Sequence, residues 1–343
     1  MMGQQVLTLG LSCEDGFVPL DNELFTSQTK VQELTIPYKD GRSTVAKRHR
    51  VAVQQTKPEM VANMIRRALR AGIEGSCLLA DAWFGSKAML RLCQETALTA
   101  LLRMKKNKMK YRISESINGR LVKRDMDVKS LYQHSVRQQW KKIPGQKYQA
   151  QVVDVELNLA QTAKEEAQWI NVRLLFVRGA EQETKAQPGK HDWAVFLCTD
   201  RGLTATEILE LYAMRWAIEV YFKEAKQHLG LLKEQSNHYA AYIASIHLAT
   251  IRFCLLVVIA KQAQGCENIT QIRQSLCSNS ADISFAARLW QVFRAIITGA
   301  LDELKTILGE AVYLVMETIE SHIQCFFVQV LQLDLKTLRL EAL

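Results

Sequence analysis

Apolar and polar residues alternate at the start of the chain. The segments VLTLGLS and FVPLDNELF lie on either side of Glu14-Asp15-Gly16, a pattern that predicts a β-hairpin. The polar, basic segment KDGRSTVAKRHR, from Lys39 to Arg50, is predicted to be a flexible loop. A surface helix is then predicted over PEMVANMIRRALRA, because it begins at Pro58 and ends before Gly72.

A β-α-β pattern follows and is typical of an α/β domain. It consists of a short apolar strand from Cys77 to Ala80, the helix GSKAMLRLCQE and the strand ALTALLRM. From about Lys105 to Thr199 the strand-like runs YRIS, YQAQVVDVEL, INVRLLFV and WAVFLCT indicate a β-rich insertion. Beyond Leu203 the pattern is helical to the end, including TATEILELYAMRWAIEVYFKEAKQHLG and the apolar stretch from Ile243 to Ala260.

The composition is that of a globular protein. The chain has 343 residues, of which 48% are hydrophobic, enough to bury a large core in one or two domains. Its eight cysteines include no CxxC pair, which favours reduced thiols and a cytoplasmic location. The longest apolar run, Phe253 to Ala260, is too short to span a bilayer, and the N-terminus does not resemble a signal peptide. We therefore expect neither export nor a membrane partner.

The charge adds a preference for polyanionic partners. Lys and Arg exceed Asp and Glu by nine, which favours nucleic acid or an anionic membrane surface. From Arg103 to Lys147 there are fourteen Lys or Arg residues against three acids. Such an excess is as compatible with a phosphate-contacting face as with solvated turns.

The segment most informative about chemistry contains Tyr212, Arg215, Glu219 and Lys226. Their spacing, Y-x2-R-x3-E-x6-K, places all four on one stripe of a single predicted helix. A carboxylate with a cation on either side suits a phosphodiester site, where the acid holds a metal ion and the cations hold phosphate. The alternative is a solvent-exposed face with ion pairs between residues four apart.

This spacing is also that of the signature of the insertion sequence 4 family of DDE transposases, which the chain resembles. LLADAWFG, from Leu78 to Gly85, resembles the family's strand that ends in the second catalytic aspartate, and the N-terminal hairpin resembles its second and third strands. The resemblance implies a ribonuclease H-like catalytic core in which two Asp and one Glu bind two Mg²⁺ ions.

Transferred residue by residue, the resemblance implies that Asp81 and Glu219 are catalytic acids and metal ligands. Arg215 and Lys226 would clamp phosphates, and Tyr212 would hydrogen-bond a phosphate oxygen. The two acids are 138 residues apart, a separation that the β-rich insertion would fill. Without the resemblance, Asp81 would be interpreted as the N-cap of the helix that starts near Gly85.

A further DNA contact is implied for Trp193. It lies nineteen residues before Tyr212, and family members that form hairpin intermediates have a tryptophan near this position that stacks on an unpaired base. Burial of Trp193 within its strand is the alternative.

The family's first catalytic aspartate has no counterpart here. It lies on the strand before the hairpin, whereas this chain starts at Met1, and neither Asp15 nor Asp21 matches its position. We therefore expect the first strand of the core to be missing, backbone groups to be left unpaired, and activity to be low or nil. The family's N-terminal DNA-binding region is also missing, so specific recognition of transposon ends by this chain alone is not expected.

The prediction is an α/β protein with a ribonuclease H-like core whose first strand is missing, a β-rich insertion and a helical C-terminal region. Residues 1–104 and 200–265 form the core, 105–199 the insertion and 266–343 the C-terminal region.

The predicted function is cut-and-paste DNA transposition with two Mg²⁺ ions in the bacterial cytoplasm or nucleoid, on double-stranded transposon ends and target DNA, by a homodimer. The alternative is a non-catalytic DNA-binding or interaction remnant. A basic RNA-binding protein has little support, since the chain contains no ribonucleoprotein motif or GxxG loop.

Overall fold

The computed structural model describes most of the chain up to residue 262. The described residues are 5–14, 16–25, 42–117, 120–136, 140–162, 164–179, 192–234, 236 and 238–262, with isolated positions between Gln271 and Cys325. The chain divides into two compact units, Met1–Cys254 and Leu255–Leu343. The finer division into core, insertion and C-terminal region stays a prediction.

The predicted hairpin is confirmed. Strand β1 (Gln5–Cys13) pairs antiparallel with β2 (Gly16–Phe25), and the register shifts beside Gly10. A Cβ atom on Gly10 would lie 2.2 Å from the ring of Phe17. Glycine at this position therefore lets the aromatic ring cross the partner strand.

The predicted basic loop is wrong over the residues that the structure describes. Helix α1 (Thr44–Gln54) begins after Ser43, whose hydroxyl accepts a hydrogen bond from the Ala46 amide at 3.2 Å. Arg48 turns inward and donates to Glu23 at 3.3 Å. The segment becomes helical because Ala46 and Ala52 pack inward and Arg48 pairs with Glu23 on β2. Residues 39–41 lie outside the described residues.

The next elements match the predicted β-α-β pattern. Helix α2 (Lys57–Arg70) begins with a capping box, and β3 (Cys77–Ala80), α3 (Lys87–Glu95) and β4 (Thr99–Arg103) follow. Strands β3 and β4 are parallel, so their carboxyl ends meet at the same edge of the sheet.

The insertion is β-rich, as predicted, and its strands extend the same sheet. It consists of β5 (Lys110–Ile117), β6 (Arg120–Asp127), helix α4 (Val128–Val136), β7 (Lys141–Lys142), β8 (Tyr148–Asn158), β9 (Trp169–Gly179) and β10 (Trp193–Cys198). The order is β3-β4-β10-β9-β8-β5-β6, with β7 paired to β8. Sequence analysis missed β6 because RLVKRDMD is mostly charged.

The long helix predicted around the Y-R-E-K residues is two helices. Helix α5 (Ala205–Ala213) ends before Met214, and α6 (Trp216–His228) begins after Arg215. Between them the Arg215 amide donates to the Tyr212 carbonyl at 3.1 Å and the Ala217 amide to Met214 at 3.2 Å. These bonds span three residues and form a tight 3₁₀-type turn. The prediction of one uninterrupted helix is wrong here.

The last long helix described is α7 (Tyr239–Gln262). By length and composition alone it could cross a membrane, a test that core helices of water-soluble proteins also pass, and it is longer than the apolar run considered above. The isolated positions described beyond it are helical except for Gly309, in agreement with the predicted helical C-terminal region at those positions.

The sheet has an apolar cluster on each face. The larger one includes Leu90 of α3, Leu131 of α4 and Phe176 of β9. The other lies under α5 and includes Leu101, Leu175 and Ile208. The result is a mixed α/β fold consistent with the predicted ribonuclease H-like core.

Strands β1 and β3 face each other across a cleft. Among the described strands, β1 pairs with β2 alone and β3 with β4 alone. Residues from both strands line two cavities of about 700 and 390 Å³, which share Leu9 and Leu78. The first strand of a ribonuclease H-like core is expected between these two edges.

Candidate catalytic site

The larger cavity brings together Asp81 and Glu219, the two predicted catalytic acids. Asp81 follows the last residue of β3, and Glu219 lies in the first turn of α6. Both line the cavity of about 700 Å³, and its wall at Leu7, Leu9 and Leu78 is apolar. Two carboxylates distant in sequence therefore face one space.

The carboxylate of Asp81 is oriented by its own turn. Its Oδ1 accepts a hydrogen bond from the Trp83 amide at 2.8 Å, and its carbonyl accepts one from the Phe84 amide at 3.1 Å. Within the described part of the chain, Oδ2 accepts none. The N-cap interpretation of Asp81 is wrong, because Ser86 occupies that position of α3.

Gly85 lets this turn lie against the end of β4. A Cβ atom there would lie 2.5 Å from the Arg103 carbonyl oxygen and 3.0 Å from the sulfur of Met104. Backbone cannot easily move aside, so a side chain at residue 85 would push the turn away from the sheet. Close packing at Gly85 therefore fixes the position of Asp81.

Glu219 is paired with Arg215. The guanidinium Nη2 donates to Glu219 Oε1 at 2.6 Å. This is the ion pair between residues four apart that the sequence also allowed, and both residues line the cavity. Burial alone would lower the pKa of Arg215, but the hydrogen bond to Glu219 and nearby negative charge, including Asp81, raise it. Arg215 Nε is buried and has no hydrogen-bond partner among the described residues. The pairing with Glu219 thus uses only part of the donor capacity of the guanidinium, and the buried Nε is not accessible to a ligand.

Three lysines complete the lining, and they make the site cationic. Lys226, predicted from the signature, lines the cavity, as do Lys223 and Lys57. None of the three forms an ion pair with an acid that the structure describes. Sequence analysis missed Lys57, since it lies at the start of α2 and belongs to no motif. Lys233, near the end of α6, donates instead to the Gln227 carbonyl at 3.2 Å.

Tyr212 does not line the cavity. Its hydroxyl donates to the Ala80 carbonyl at 3.4 Å, and its ring meets the edge of Phe196 at 4.7 Å. Burial raises its pKa, so the hydroxyl stays protonated. The structure therefore places Tyr212 behind Asp81, where it supports the end of β3.

Trp193 lies apart from the cavity, in the apolar core. It is 8% exposed, stacks on Tyr132 at 4.0 Å, and has the Lys106 ammonium 3.8 Å from its ring centre. The structure therefore agrees with the alternative interpretation, in which Trp193 is buried within its strand. Since both the stacking partner and the cation are internal, we do not carry a base-stacking role for Trp193 into the proposed function.

The sequence did not predict either hairpin aspartate, Asp15 or Asp21, to be a metal ligand. Asp21 binds Arg67 at 2.7 Å and does not line the larger cavity, whereas Asp15 lies outside the described residues.

The acids at the site fit the expected cofactor in part. Mg²⁺ is typically held by one or two carboxylates, with water and substrate phosphates completing its shell, so Asp81 and Glu219 fit one ion. Within the described residues, no group of three or more His, Cys, Asp or Glu side chains could hold a metal ion. A pair of ions about 4 Å apart would need a further acidic ligand.

Comparison with known proteins agrees with the chemistry of the site. Residues 1–162, just under half of the chain, match the family model described as DDE superfamily endonuclease. The matched part includes the hairpin, β3 and Asp81, and it ends before Glu219. The match supports a DDE transposase-type family and a nuclease role for the chain. No curated protein matches it.

Proposed function

We propose that this chain is a DDE transposase of the insertion sequence 4 family, which cleaves DNA strands and joins them in cut-and-paste transposition. The observation that supports this proposal best is the convergence of Asp81 and Glu219 in a cleft also lined by Arg215 and three lysines. This is the donor set that a metal-assisted phosphodiester reaction needs, and it lies on a fold consistent with that chemistry.

The two carboxylates would hold a divalent ion through their open oxygens. Oδ2 of Asp81 and Oε2 of Glu219 accept no hydrogen bond in the described part of the chain. When bound, Mg²⁺ would stabilise charge on the phosphodiester oxygens and favour ionisation of the attacking hydroxyl or water. The turn packed at Gly85 and the Arg215 pairing would keep both acids in place before substrate binds.

The cations would bind the DNA backbone. Arg215 lines the cleft and would bind a phosphate oxygen through a guanidinium nitrogen other than its buried Nε, while Nη2 holds Glu219. Lys223 and Lys226 are exposed on α6 and would contact phosphates on either side of the cleaved bond. Tyr212 would act through β3 by positioning Asp81.

The proposed activity of this chain is low. The two acids that the described residues bring to the cleft would bind one ion weakly, and a second ion would need a further acidic ligand. Transposition would use a homodimer, two Mg²⁺ ions and double-stranded DNA ends in the bacterial cytoplasm.

The test combines metal binding with DNA cleavage. Mg²⁺ or Mn²⁺ is titrated calorimetrically into the wild-type chain and into Asp81→Asn and Glu219→Gln, and nicking of supercoiled plasmid is followed in parallel. We expect weak binding of one ion that either substitution abolishes, with little or no nicking. Glu210→Gln is the matched control, because Glu210 is exposed on α5 and does not line the cavity.

Equal metal binding by wild type and both site variants would refute the assignment of the ligands. Strong nicking by wild type that survives Asp81→Asn would show that the chemistry lies elsewhere. Strong nicking that both substitutions abolish would support the ligands and refute the expectation of low activity.

A second candidate function is that of a non-catalytic DNA-binding or interaction protein derived from a transposase. The small number of acids at the site favours it. The DNA upstream of the Met1 codon separates the two: an in-frame extension with an apolar strand ending in Asp supports the enzyme, and a stop codon supports the remnant.

A further inference from the structure

Lys57 is a cation of the catalytic cleft whose position works against its own helix. It is the first residue of α2 and lines the same cavity as Asp81 and Glu219. The N-terminal end of a helix carries partial positive charge, so an acid stabilises this position and a lysine does not. A residue that breaks such a local preference is a candidate for a function outside the helix.

The charge of Lys57 is not neutralised by an acid that the structure describes. The nearest acid along the chain, Glu59, accepts hydrogen bonds from the Thr56 amide at 2.7 Å and the Thr56 hydroxyl at 2.8 Å. These bonds lower the pKa of Glu59 and commit its carboxylate to the start of α2. The ammonium of Lys57 therefore keeps its full charge for a ligand.

Two aromatic rings hold the ammonium in place. Nζ of Lys57 lies 4.7 Å from the ring centre of Phe25, at the end of β2, and 4.4 Å from that of Trp83, in the turn after β3. The Trp83 amide in turn donates to Asp81 Oδ1 at 2.8 Å. Cation–π contacts orient an ammonium without neutralising it, so Lys57 is fixed relative to Asp81 and still able to bind an anion.

The cations of the cleft come from two separate parts of the fold. Helix α2 packs on the larger apolar cluster through Ile65, whereas α5, which leads directly into α6, packs on the other face of the sheet through Ile208. Lys223 and Lys226 of α6 therefore reach the cavity from one side, and Lys57 reaches it from another. An extended polyanion that contacts both groups must pass the catalytic acids.

We propose that Lys57 binds a backbone phosphate of the DNA strand on the side of Asp81 away from α6, and so sets the path of the strand across the acids. The strand is then held at two points with the reacting phosphate between them. Phe25 and Trp83 are positioning residues, since they act through Lys57. The contact is independent of base sequence, because every nucleotide carries the same phosphate. This inference rests on the proposed function, since it takes DNA to be the ligand of the cleft.

The test is a binding measurement without divalent metal, so that it does not depend on cleavage. Fluorescence anisotropy follows a labelled single strand of about 12 nucleotides over a range of salt concentrations. Lys57→Met should lower the slope of log affinity against log salt by about 0.7, the contribution of one phosphate contact. At roughly 0.1 M salt this corresponds to a loss of affinity of about fivefold. Lys57→Arg keeps the charge and should keep the slope.

Phe25→Leu tests how Lys57 is positioned. This variant leaves the charge of Lys57 in place and removes one of its two rings. Affinity should fall by about twofold with an unchanged salt slope, because the contact is made but is no longer prearranged. In the Lys57→Met background, Phe25→Leu should have no further effect on binding. A role of Phe25 in the fold alone would give the same loss in both backgrounds.

Lys47→Met is the matched control, and Lys226→Met tests the second point of attachment. Lys47 is exposed on α1 and does not line the catalytic cavity, so its loss should leave the slope unchanged. Lys226→Met should lower the slope by about the same 0.7, and its effect should add to that of Lys57→Met, because the two lysines bind different phosphates. Urea unfolding shows whether each variant keeps its fold, and Lys57→Gln replaces Lys57→Met if the latter does not.

Three results would overturn the proposal. They are an unchanged slope for Lys57→Met, an equal decrease for Lys47→Met, and a decrease that Lys57→Arg does not restore. Failure of this proposal is distinguishable from failure of the proposed function. If Asp81 and Glu219 bind no metal while Lys57→Met lowers the slope, the catalytic proposal falls and the phosphate contact stands. If both acids bind metal while Lys57→Met binds DNA like wild type, the reverse holds.

Discussion

The hydroxyl of Thr250 connects three parts of the fold around the helix that carries Glu219. Buried on α7, it donates to the Ile246 carbonyl at 2.9 Å, accepts from Asn22 Nδ2 at 2.9 Å and meets the Tyr221 hydroxyl at 3.0 Å. One donor and two acceptor positions are thus all used. Tyr221 is fully buried two residues after Glu219 on α6, so this contact helps to fix that helix.

Thr250→Val keeps the shape of the side chain and removes the hydroxyl. The Asn22 amide and the Tyr221 hydroxyl then lose this partner in a buried setting, which costs about 1 to 3 kcal/mol for each group. Added apolar burial offsets part of this, so we expect the free energy of unfolding to fall by about 2 to 4 kcal/mol. Thr250→Ser keeps the hydroxyl, loses one methyl group and should cost only about 1 kcal/mol.

Urea unfolding of both variants and wild type measures these losses. In a double-mutant cycle, Tyr221→Phe should cost less in the Thr250→Val background than in wild type. Equal stability of Thr250→Val and Thr250→Ser would refute the reasoning, since the hydroxyl would then contribute nothing.

Other perturbations test other parts of the fold. Burial and the neighbouring Arg48 lower the pKa of His247 from its ordinary 6.5, so the unfolded chain binds more protons in mild acid. The contribution of neutral His247 to the free energy of unfolding should be complete above about pH 6.5 and fall as the pH drops towards the pKa of His247 in the folded protein. His247→Asn should flatten that part of the pH profile of urea unfolding. Trp193→Ala should lower the free energy of unfolding by about 3 to 5 kcal/mol in chemical denaturation, because it leaves a large cavity in the core. Burial raises the pKa of Cys93 to about 12, so a thiol-reactive dye should label exposed Cys13 and reach Cys93 only on unfolding.

The elements predicted correctly from sequence are those with strong local patterns. The hairpin alternates cleanly, α2 has a proline at its start, and β3 and β4 are short apolar runs. Helix α1 was missed because what stabilises it is not local: Arg48 reaches Glu23 on β2, a pairing that only the folded chain shows. Strand β6 was missed because charged residues can face solvent on both sides of an edge strand.

The residues of the site also fall into those that local motifs predict and those that only tertiary packing places. Asp81 and Glu219 were predicted from motifs, and the structure brings them to one cavity. The break at Met214 and Arg215 could not be predicted, because the helical periodicity runs through it without a proline or glycine. The positions of Lys57 and Trp83 also depend on how α2 packs beside the end of β3. Tertiary packing of this kind leaves no local pattern in the sequence.

The facing edges of β1 and β3 also bear on how the protein behaves in concentrated solution. Strand edges with open amides and carbonyls recruit strands from other chains, and apolar side chains such as Leu7, Leu9 and Leu79 line this cleft. Two facing edges that pair with no further described strand can nucleate aggregation unless another strand pairs with them. Aggregation, more than unfolding, would then limit the concentration at which this protein stays monodisperse. A strand that pairs with these two edges would raise that limit.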